Sequence, residues 1–265
     1  MQGESFGWVA EALQRVVEQR RFADVATVIS TLRSGPVALG VKLVVERDGE
    51  TWGSLGDAEL DRAVVADAAD VLATRRSRVA SYSLPGGEVD VFHEVLEPQP
   101  ELLIIGAGHI AVPLARFGKM VGFEVTVLDD RDKYASVERF PDADRVIAAD
   151  FGETLTDWPI TPATYVVIIT RAHTFDEESL RIILDRESAY IGMIGSRRRV
   201  QVVLRTLMNE GYDRDRLAMV RAPIGLDIAA ETPDEIALAI IAEVVAARRG
   251  GSGGPLSQEH RPIAY

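Results

Sequence analysis

The chain is expected to fold as an α/β protein, with a mostly parallel sheet placed behind a smaller N-terminal α+β domain. Three observations carry that expectation. Residues 101–131, ELLIIGAGHIAVPLARFGKMVGFEVTVLDDR, pass from an apolar run through Gly106-x-Gly108-x-x-Ala111 and a helical pattern into a second apolar run ending at Asp129. That is the strand–turn–helix–strand order of a dinucleotide-binding unit. Further on, nearly all-apolar runs alternate with helical ones, as expected of strands covered on both sheet faces. Residues 1–98 follow a different pattern and end at Glu97-Pro98-Gln99-Pro100, a boundary rich in proline. The expected organisation is thus an α+β domain over 1–98, a Rossmann-like domain over 99–248 and a flexible tail over 249–265.

The elements follow in order. Residues 7–21 have helical spacing, with Trp8, Val9, Leu13, Val16 and Val17 on one broad face. Residues 22–32 are β-rich and lead into turn material at Ser34-Gly35-Pro36. Residues 41–46, the Asp48-Gly49 turn and Thr51-Trp52 suggest a hairpin. An alanine-rich helix is expected over 57–74, and a strand pair over 78–84 and 88–95 around Pro85-Gly86-Gly87. The second domain should place strands at 101–106, 123–128, 145–149, 164–170 and 189–194. Its helices should lie near 109–121, 175–185 and 197–210. Thr232-Pro233-Asp234-Glu235 marks a further helix start, with an N-cap threonine, proline at N1 and glutamate at N3. That helix should run to about Ala247, and the last residues of the glycine-rich tail should be disordered.

Bulk properties narrow the function classes. The chain has 265 residues, 47% hydrophobic and 26% charged, enough for two modest domains with cores of their own. A net charge of -12 argues against a primary nucleic-acid or anionic-membrane binder. Residues 1–98 carry 10 basic and 16 acidic side chains and the remainder 19 and 25, so neither part is a basic module. No apolar run reaches bilayer length, and MQGESFGWVAEALQRV lacks signal-peptide features, so a cytoplasmic protein is expected. Cysteine is absent, which removes disulfides, thiolate metal sites, thiol nucleophiles and any persulfide carried on these residues. With four histidines, a histidine-rich zinc site is not expected either.

The candidate site gathers around the glycine turn. Gly106 lets the chain turn out of its strand, Gly108 leaves room for a phosphate, and Ala111 allows close helix–strand packing. The helix start there offers unpaired amides and a positive dipole end to an anion. Asp129, 23 residues after Gly106, stands where a carboxylate can bind ribose hydroxyls and disfavour a 2′-phosphate, with Arg131 as a countervailing cation. His109 either donates to a phosphate or stacks beside a ring, or else it caps the helix start. Thr170-Arg171-Ala172-His173 and Ile194-Gly195-Ser196-Arg197 follow the fourth and fifth strands of this domain, whose carboxyl-end loops converge on such a crevice. His173 is the foremost functional histidine. Gly195 and Ser196 suggest a second anion nest, with Arg197 as a bidentate phosphate contact; a solvated helix start is the alternative. Asp227, in Pro223-Ile224-Gly225-Leu226-Asp227, either serves the site or braces the Gly225 turn. Glu235 fits a capping box better than a catalytic base.

The ordered set GAGHIA, VTVLDDR, RFPDAD, the histidine loop, YIGMIGSRRR and APIGLDIAAETPDEIALAIIAEVVA resembles the XdhC/CoxI family from about residue 100 to 248. Residues 26–43 resemble that family's N-terminal pattern, with Ser34, Pro36 and Gly40 retained, Arg33 in place of its first glycine and Val37 in place of its arginine. The turn Gly53-Ser54-Leu55-Gly56-Asp57-Ala58-Glu59 lacks the cysteine that many relatives carry there. The resemblance implies a non-catalytic accessory protein for xanthine dehydrogenase and related molybdenum hydroxylases. It would bind molybdenum cofactor (molybdopterin or its dinucleotide form), protect it during sulfuration with a cysteine desulfurase, and assist its insertion into the apo-hydroxylase. The Gly106–Gly108 turn, Arg197 and neighbouring loops would hold the pterin phosphate or its nucleotide extension, and a homodimer is compatible with the domain arrangement. Two other readings stand: an NAD(H)-dependent oxidoreductase, supported by Gly106, Gly108 and Asp129, and a nucleotide-sensing regulatory or scaffold protein.

Overall fold

The computed structural model describes residues 7–32 and 37–258. The turn at Ser34-Gly35-Pro36, with Arg33, and the final residues expected to be disordered lie outside them. The chain divides into two compact units, Met1–Pro98 and Gln99–Tyr265.

The first unit is a five-stranded antiparallel sheet in the order β3-β2-β1-β5-β4. Its strands are β1 (Ala23–Thr31), β2 (Lys42–Glu46), β3 (Thr51–Gly53), β4 (Arg78–Leu84) and β5 (Gly87–Leu96). Helices α1 (Gly7–Glu18) and α2 (Ala58–Thr74) complete it. Alternation along β1 sorts its side chains: Ala26 and Val28 join the core under α2, while Ala23 and Val25 join the core under α1. Val37 is buried in the α2-side core, so the position where the family resemblance expects an arginine is apolar packing. The cysteine-free turn is a helix cap. Asp57 accepts from the amides of Glu59 and Leu60, and Asp61 accepts from Ser54 Oγ and the Leu55 amide, each at 2.7 Å.

The second unit is a Rossmann-like α/β domain. Its strands are β6 (Glu101–Ile105), β7 (Glu124–Asp129), β8 (Arg145–Ala148), β9 (Thr164–Ile168), β10 (Tyr190–Met193) and the short β11 (Val220–Arg221). They pair in the order β11-β10-β9-β6-β7-β8, every neighbour parallel. Its helices are α3 (Ala111–Met120), α4 (Phe151–Asp157), α5 (His173–Leu184), α6 (Arg197–Asn209), α7 (Arg214–Ala218) and α8 (Pro233–Arg249). The apolar strands serve two cores at once. Leu102, Ile104, Val125, Val127 and Val167 pack with α3 and α8, whereas Leu103, Ile105, Leu128, Val166 and Ile168 pack with α4, α5 and α6. Helix α3 approaches the sheet closely at Gly118, where a Cβ would come within 2.5 Å of Leu102 Cδ2; Ala111 is fully buried as well.

At the amino ends of the strands, Glu101 is 1% exposed and accepts from Arg145 Nη2 at 2.8 Å, with Thr126, Thr164 and the Trp158 indole at longer range. Such a buried, satisfied carboxylate fixes the end of the sheet opposite the site. The α8 capping box is formed as expected, with both Thr232 and Glu235 bonding to each other's backbone amides. The helix runs to Arg249, two residues beyond the expected end, and closes with Gly250 in the left-handed region and Gly251 N–H bonded to Ala246 O. Past Gly250 the described tail includes a short 3₁₀ turn, Leu256–Gln258. Among the described residues no helix is long and apolar enough to cross a membrane.

Candidate functional site

The strand order places a topological switch point between β6 and β9, because the chain leaves β6 toward β7 and leaves β9 toward β10. The loops at their carboxyl ends diverge and open a crevice. Gly106 forms its floor. Its φ is +108°, its amide donates to Leu128 O at 2.7 Å, and a Cβ there would lie 2.6 Å from Ile169 O. No L side chain fits that space. Gly108 differs: its φ lies outside the left-handed region, and nothing lies within 4 Å of a Cβ built on it. The room expected at Gly108 is thus open space above the turn. Helix α3 starts three residues later, and Ile110 at its N-cap supplies no side-chain cap. The amides and dipole end of α3 thus have no side chain of their own over them. His109 is exposed on this turn.

Asp129 ends β7 beside the turn, as expected, but its carboxylate is 1% exposed and engaged on both oxygens. Oδ2 accepts from the Ala107 amide at 2.7 Å and Arg131 Nη2 at 3.0 Å. Oδ1 accepts from the Arg131 amide at 3.1 Å and Arg131 Nε at 2.8 Å. Asp129 pulls the Arg131 guanidinium pKa above its ordinary value, and the guanidinium lies 3.7 Å from the centre of the Tyr134 ring. Arg139, from the RFPDAD stretch, donates to Ala107 O at 2.9 Å and Tyr134 O at 2.7 Å. The turn is thus held from both sides, by Asp129 on the Ala107 amide and by Arg139 on its carbonyl. Next to it, Asp130 pairs with Arg171 from the loop after β9. That partner holds the Asp130 carboxyl below its ordinary range.

The second wall consists of the starts of α5 and α6. His173 is the first residue of α5 and is exposed, whereas the sequence pattern places it in the loop before that helix. Ser196 caps α6 by accepting from the Arg199 amide at 3.3 Å, so its hydroxyl is a helix cap. Gly195 has ordinary space around it, the nearest atom to an added Cβ being Arg199 Cδ at 3.5 Å. Arg197 is exposed and forms no hydrogen bond or ion pair among the described residues. Arg199 turns inward. Its Nη2 donates to Asp176, which is fully buried and also accepts from Thr170 Oγ1. Burial pushes the Asp176 carboxyl above its ordinary range despite these donors.

Asp227 is exposed after the edge strand β11 and forms no hydrogen bond or ion pair among the described residues. The brace on the Gly225 turn is Glu243 of α8, which accepts from the Gly225 amide at 2.7 Å and the Tyr190 hydroxyl at 2.8 Å. The alternative reading of Asp227 as that brace is corrected accordingly. Burial and the nearby Glu243 carboxylate push the Tyr190 phenol well upward.

Gly106, Gly108, His109, Asp129 and Arg131 thus lie together at the carboxyl ends of β6 and β7, while His173 starts α5, and Gly195 and Ser196 lead into Arg197 at the start of α6. Sequence reasoning missed Arg139, Asp176, Arg199 and Glu243. No local signal separates Arg199 from Arg197, because Arg199 stands four residues before the buried Val203 and Arg197 three before the buried Val200. Elsewhere, a groove of about 800 Å³ between α4 and α5 is lined by Asp150, Glu153, Asp157 and Glu178 against one cation, Arg181, which is already paired with Glu177 and Glu210, so its lining is net acidic. Among the described residues the carboxylate cluster geometrically open to a metal is Glu46, Asp48 and Glu50. The Arg21 guanidinium already lies there, 2.5 Å from Glu46 and 2.8 Å from Asp48.

Comparison with known proteins returns one consistent relationship. The family described as the XdhC Rossmann domain matches residues 102–244, and the XdhC and CoxI family matches residues 16–83. The chain is 30% identical over 236 residues to the uncharacterized protein YqeB of Escherichia coli (strain K12), covering 84% of this chain and 43% of that protein. It is 31% identical over 160 residues to a probable subunit of xanthine dehydrogenase from Bacillus subtilis (strain 168), covering 60% of this chain and 46% of that one. The chain thus spans less than half the length of these curated relatives. A crystal structure of a xanthine dehydrogenase from Bacillus halodurans shares its fold, with a TM-score of 0.53 at 22% identity over 96% of this chain and 98% of the other.

Proposed function

Since the chain belongs to the XdhC and CoxI family, its Rossmann-domain match alone covering more than half of the sequence, we propose that it is an accessory protein in the maturation of a xanthine-dehydrogenase-type molybdenum hydroxylase. In this role it holds molybdenum cofactor through the cofactor's phosphate and presents it to the apo-hydroxylase. The observation that supports the reading most is the crevice above Gly108. An uncapped helix start faces open space there, at the point of the sheet where ligands bind in such folds.

The residues present suit a phosphate-bearing pterin. The amides around Gly108 and His109 and the positive end of α3 attract an anion, and Arg197 is a cation with no partner to give up among the described residues. His109 and His173 are exposed nearby and can donate to the anion or lie against a ring. The cofactor, when bound, supplies the metal centre that the hydroxylase uses. The chain's part is to bind and shelter it. With no cysteine among its 265 residues, the chain carries no persulfide, so sulfur for cofactor sulfuration has to come from a partner such as a cysteine desulfurase.

Co-production of the apo-hydroxylase with and without this chain tests the reading. The expected result is higher molybdenum occupancy and activity of the hydroxylase when the chain is present. Equal occupancy and activity in both preparations would refute it.

A further inference from the structure

The carboxylate of Asp129 occupies the position from which Rossmann-like domains read a ribose. Ionised, it offers about four lone-pair sites. Four donors already fill them: the Ala107 amide and Arg131 Nη2 on one oxygen, the Arg131 amide and Nε on the other. At 1% exposure the group has no contact with solvent through which a diol could approach. Two of the four donors belong to one guanidinium, and that guanidinium is itself held from outside by the Tyr134 ring at 3.7 Å. Tyr134 is tied in turn by Arg139, which bonds its carbonyl and that of Ala107. The adjoining carboxylate, Asp130, is closed by Arg171 in the same manner.

We propose that Arg131 is a specificity-determining residue: by occupying Asp129 it closes the ribose subsite, so the crevice accepts a phosphate group but does not read an adenosine ribose. The ligand class that fits is then a phosphate ester whose organic part lies away from the end of β7, and nicotinamide dinucleotides are discriminated against. This deepens the reading of the crevice as a pterin-phosphate site and rests on it. Binding energy at such a site comes from the α3 amides and Arg197, with no share from the sugar or from Arg131, whose charge Asp129 already neutralises. A carboxylate pinned to the Ala107 amide also fixes the shape of the turn before any ligand arrives. Arg131 therefore acts on ligand choice through Asp129 and Tyr134.

Titration calorimetry with inorganic pyrophosphate and with ADP-ribose tests this, since the second carries an adenosine and a further ribose on a diphosphate of lower charge. The unaltered chain is expected to bind ADP-ribose no more tightly than pyrophosphate, within about threefold. Arg131→Ala, which frees Asp129, is expected to tighten ADP-ribose binding about tenfold or more (near 1.4 kcal/mol) while pyrophosphate binding stays within about threefold. Adding Asp129→Asn to that variant should abolish the gain. The proposal is overturned if Arg131→Ala folds and gains no ADP-ribose affinity, or if the unaltered chain already prefers ADP-ribose by tenfold. Should Arg131→Ala fail to fold, Asp129→Asn alone decides. Unchanged ADP-ribose affinity supports a closed subsite, and a tenfold loss overturns it. Failure here leaves the pterin reading to its own test, the cofactor content of the purified protein.

Discussion

Arg199 donates through Nη2 to the buried carboxylate of Asp176, and that bond joins the start of α6 to the start of α5. The two loops that form the second wall of the crevice are thereby tied together beneath their exposed residues, His173 and Arg197. Arg199→Ala leaves Asp176 buried with Thr170 as its remaining side-chain donor. The expected loss is roughly 2–3 kcal/mol, at the lower edge of the range for breaking a buried pair because Arg199 is itself part-exposed. Arg197→Ala should change stability by less than about 0.5 kcal/mol. Urea unfolding of the two variants measures both; equal losses would contradict the assignment.

The pH dependence of the same carboxylate has a definite sign. Burial holds the Asp176 carboxyl above 3.8, its ordinary value, so the folded chain binds that proton more tightly than the unfolded chain does. Its contribution to stability is therefore greatest in acid, and it declines as pH rises from the unfolded value through the raised folded one. Asp176→Asn lacks this proton. The stability of the unaltered chain relative to Asp176→Asn should fall with rising pH across that window and level off above it. Thermal melts of both proteins from acid to neutral pH check this, and a difference that widens with pH would contradict it.

Gly106 and Gly108 separate folding from binding. Gly106→Ala puts a Cβ 2.6 Å from Ile169 O at a φ of +108°. Strain and overpacking together should cost about 2–4 kcal/mol. Gly108→Ala meets nothing within 4 Å and should leave stability within about 0.5 kcal/mol. It should nevertheless weaken pyrophosphate binding by about 1.5–3 kcal/mol, since the new methyl group stands where the anion approaches the amides. Melting curves and calorimetry on the two variants give the comparison.

In the first unit, His93 is fully buried between Asp24 and Tyr82, with Nδ1 2.5 Å from Asp24 Oδ2 and Nε2 2.8 Å from the Tyr82 hydroxyl. The Tyr82 hydroxyl also reaches Asp67 Oδ2 at 2.8 Å; burial first, and then that carboxylate, push its phenol upward. His93→Ala strands the Asp24 carboxylate and should destabilise this unit by about 3–5 kcal/mol. Tyr82→Phe removes one neutral hydroxyl, leaves His93 paired to Asp24, and should cost about 0.5–1.5 kcal/mol. Denaturant midpoints that failed to rank the two in this order would count against a structural role for the chain of bonds.

Much of this architecture is legible in the sequence because it rests on local pattern. All-apolar runs such as residues 102–105 have two faces to bury, and Gly106 takes a left-handed φ beside the Ile169 carbonyl that requires glycine. The capping box at Thr232 and Glu235 is legible for the same reason. Helix α4 is not, since FGETLTD has two buried apolar side chains and no repeating stripe. The two-residue strand β11 leaves no period to detect. The site divides in the same way. Glycines and helix starts show in the sequence because their roles are set by the backbone. The partners of Ala107, Asp176 and Gly225 are set by how loops distant in sequence meet, so Arg139, Arg199 and Glu243 become visible once the sheet has brought those loops together.

Cofactor handling is tested most directly by mass spectrometry combined with metal analysis of this protein purified from a host that makes molybdopterin. The predicted result is a bound pterin phosphate with molybdenum in similar amount, and a marked loss of both from Gly108→Ala protein of unchanged stability. Protein that carries neither pterin nor molybdenum, or that carries a nicotinamide dinucleotide instead, would contradict it.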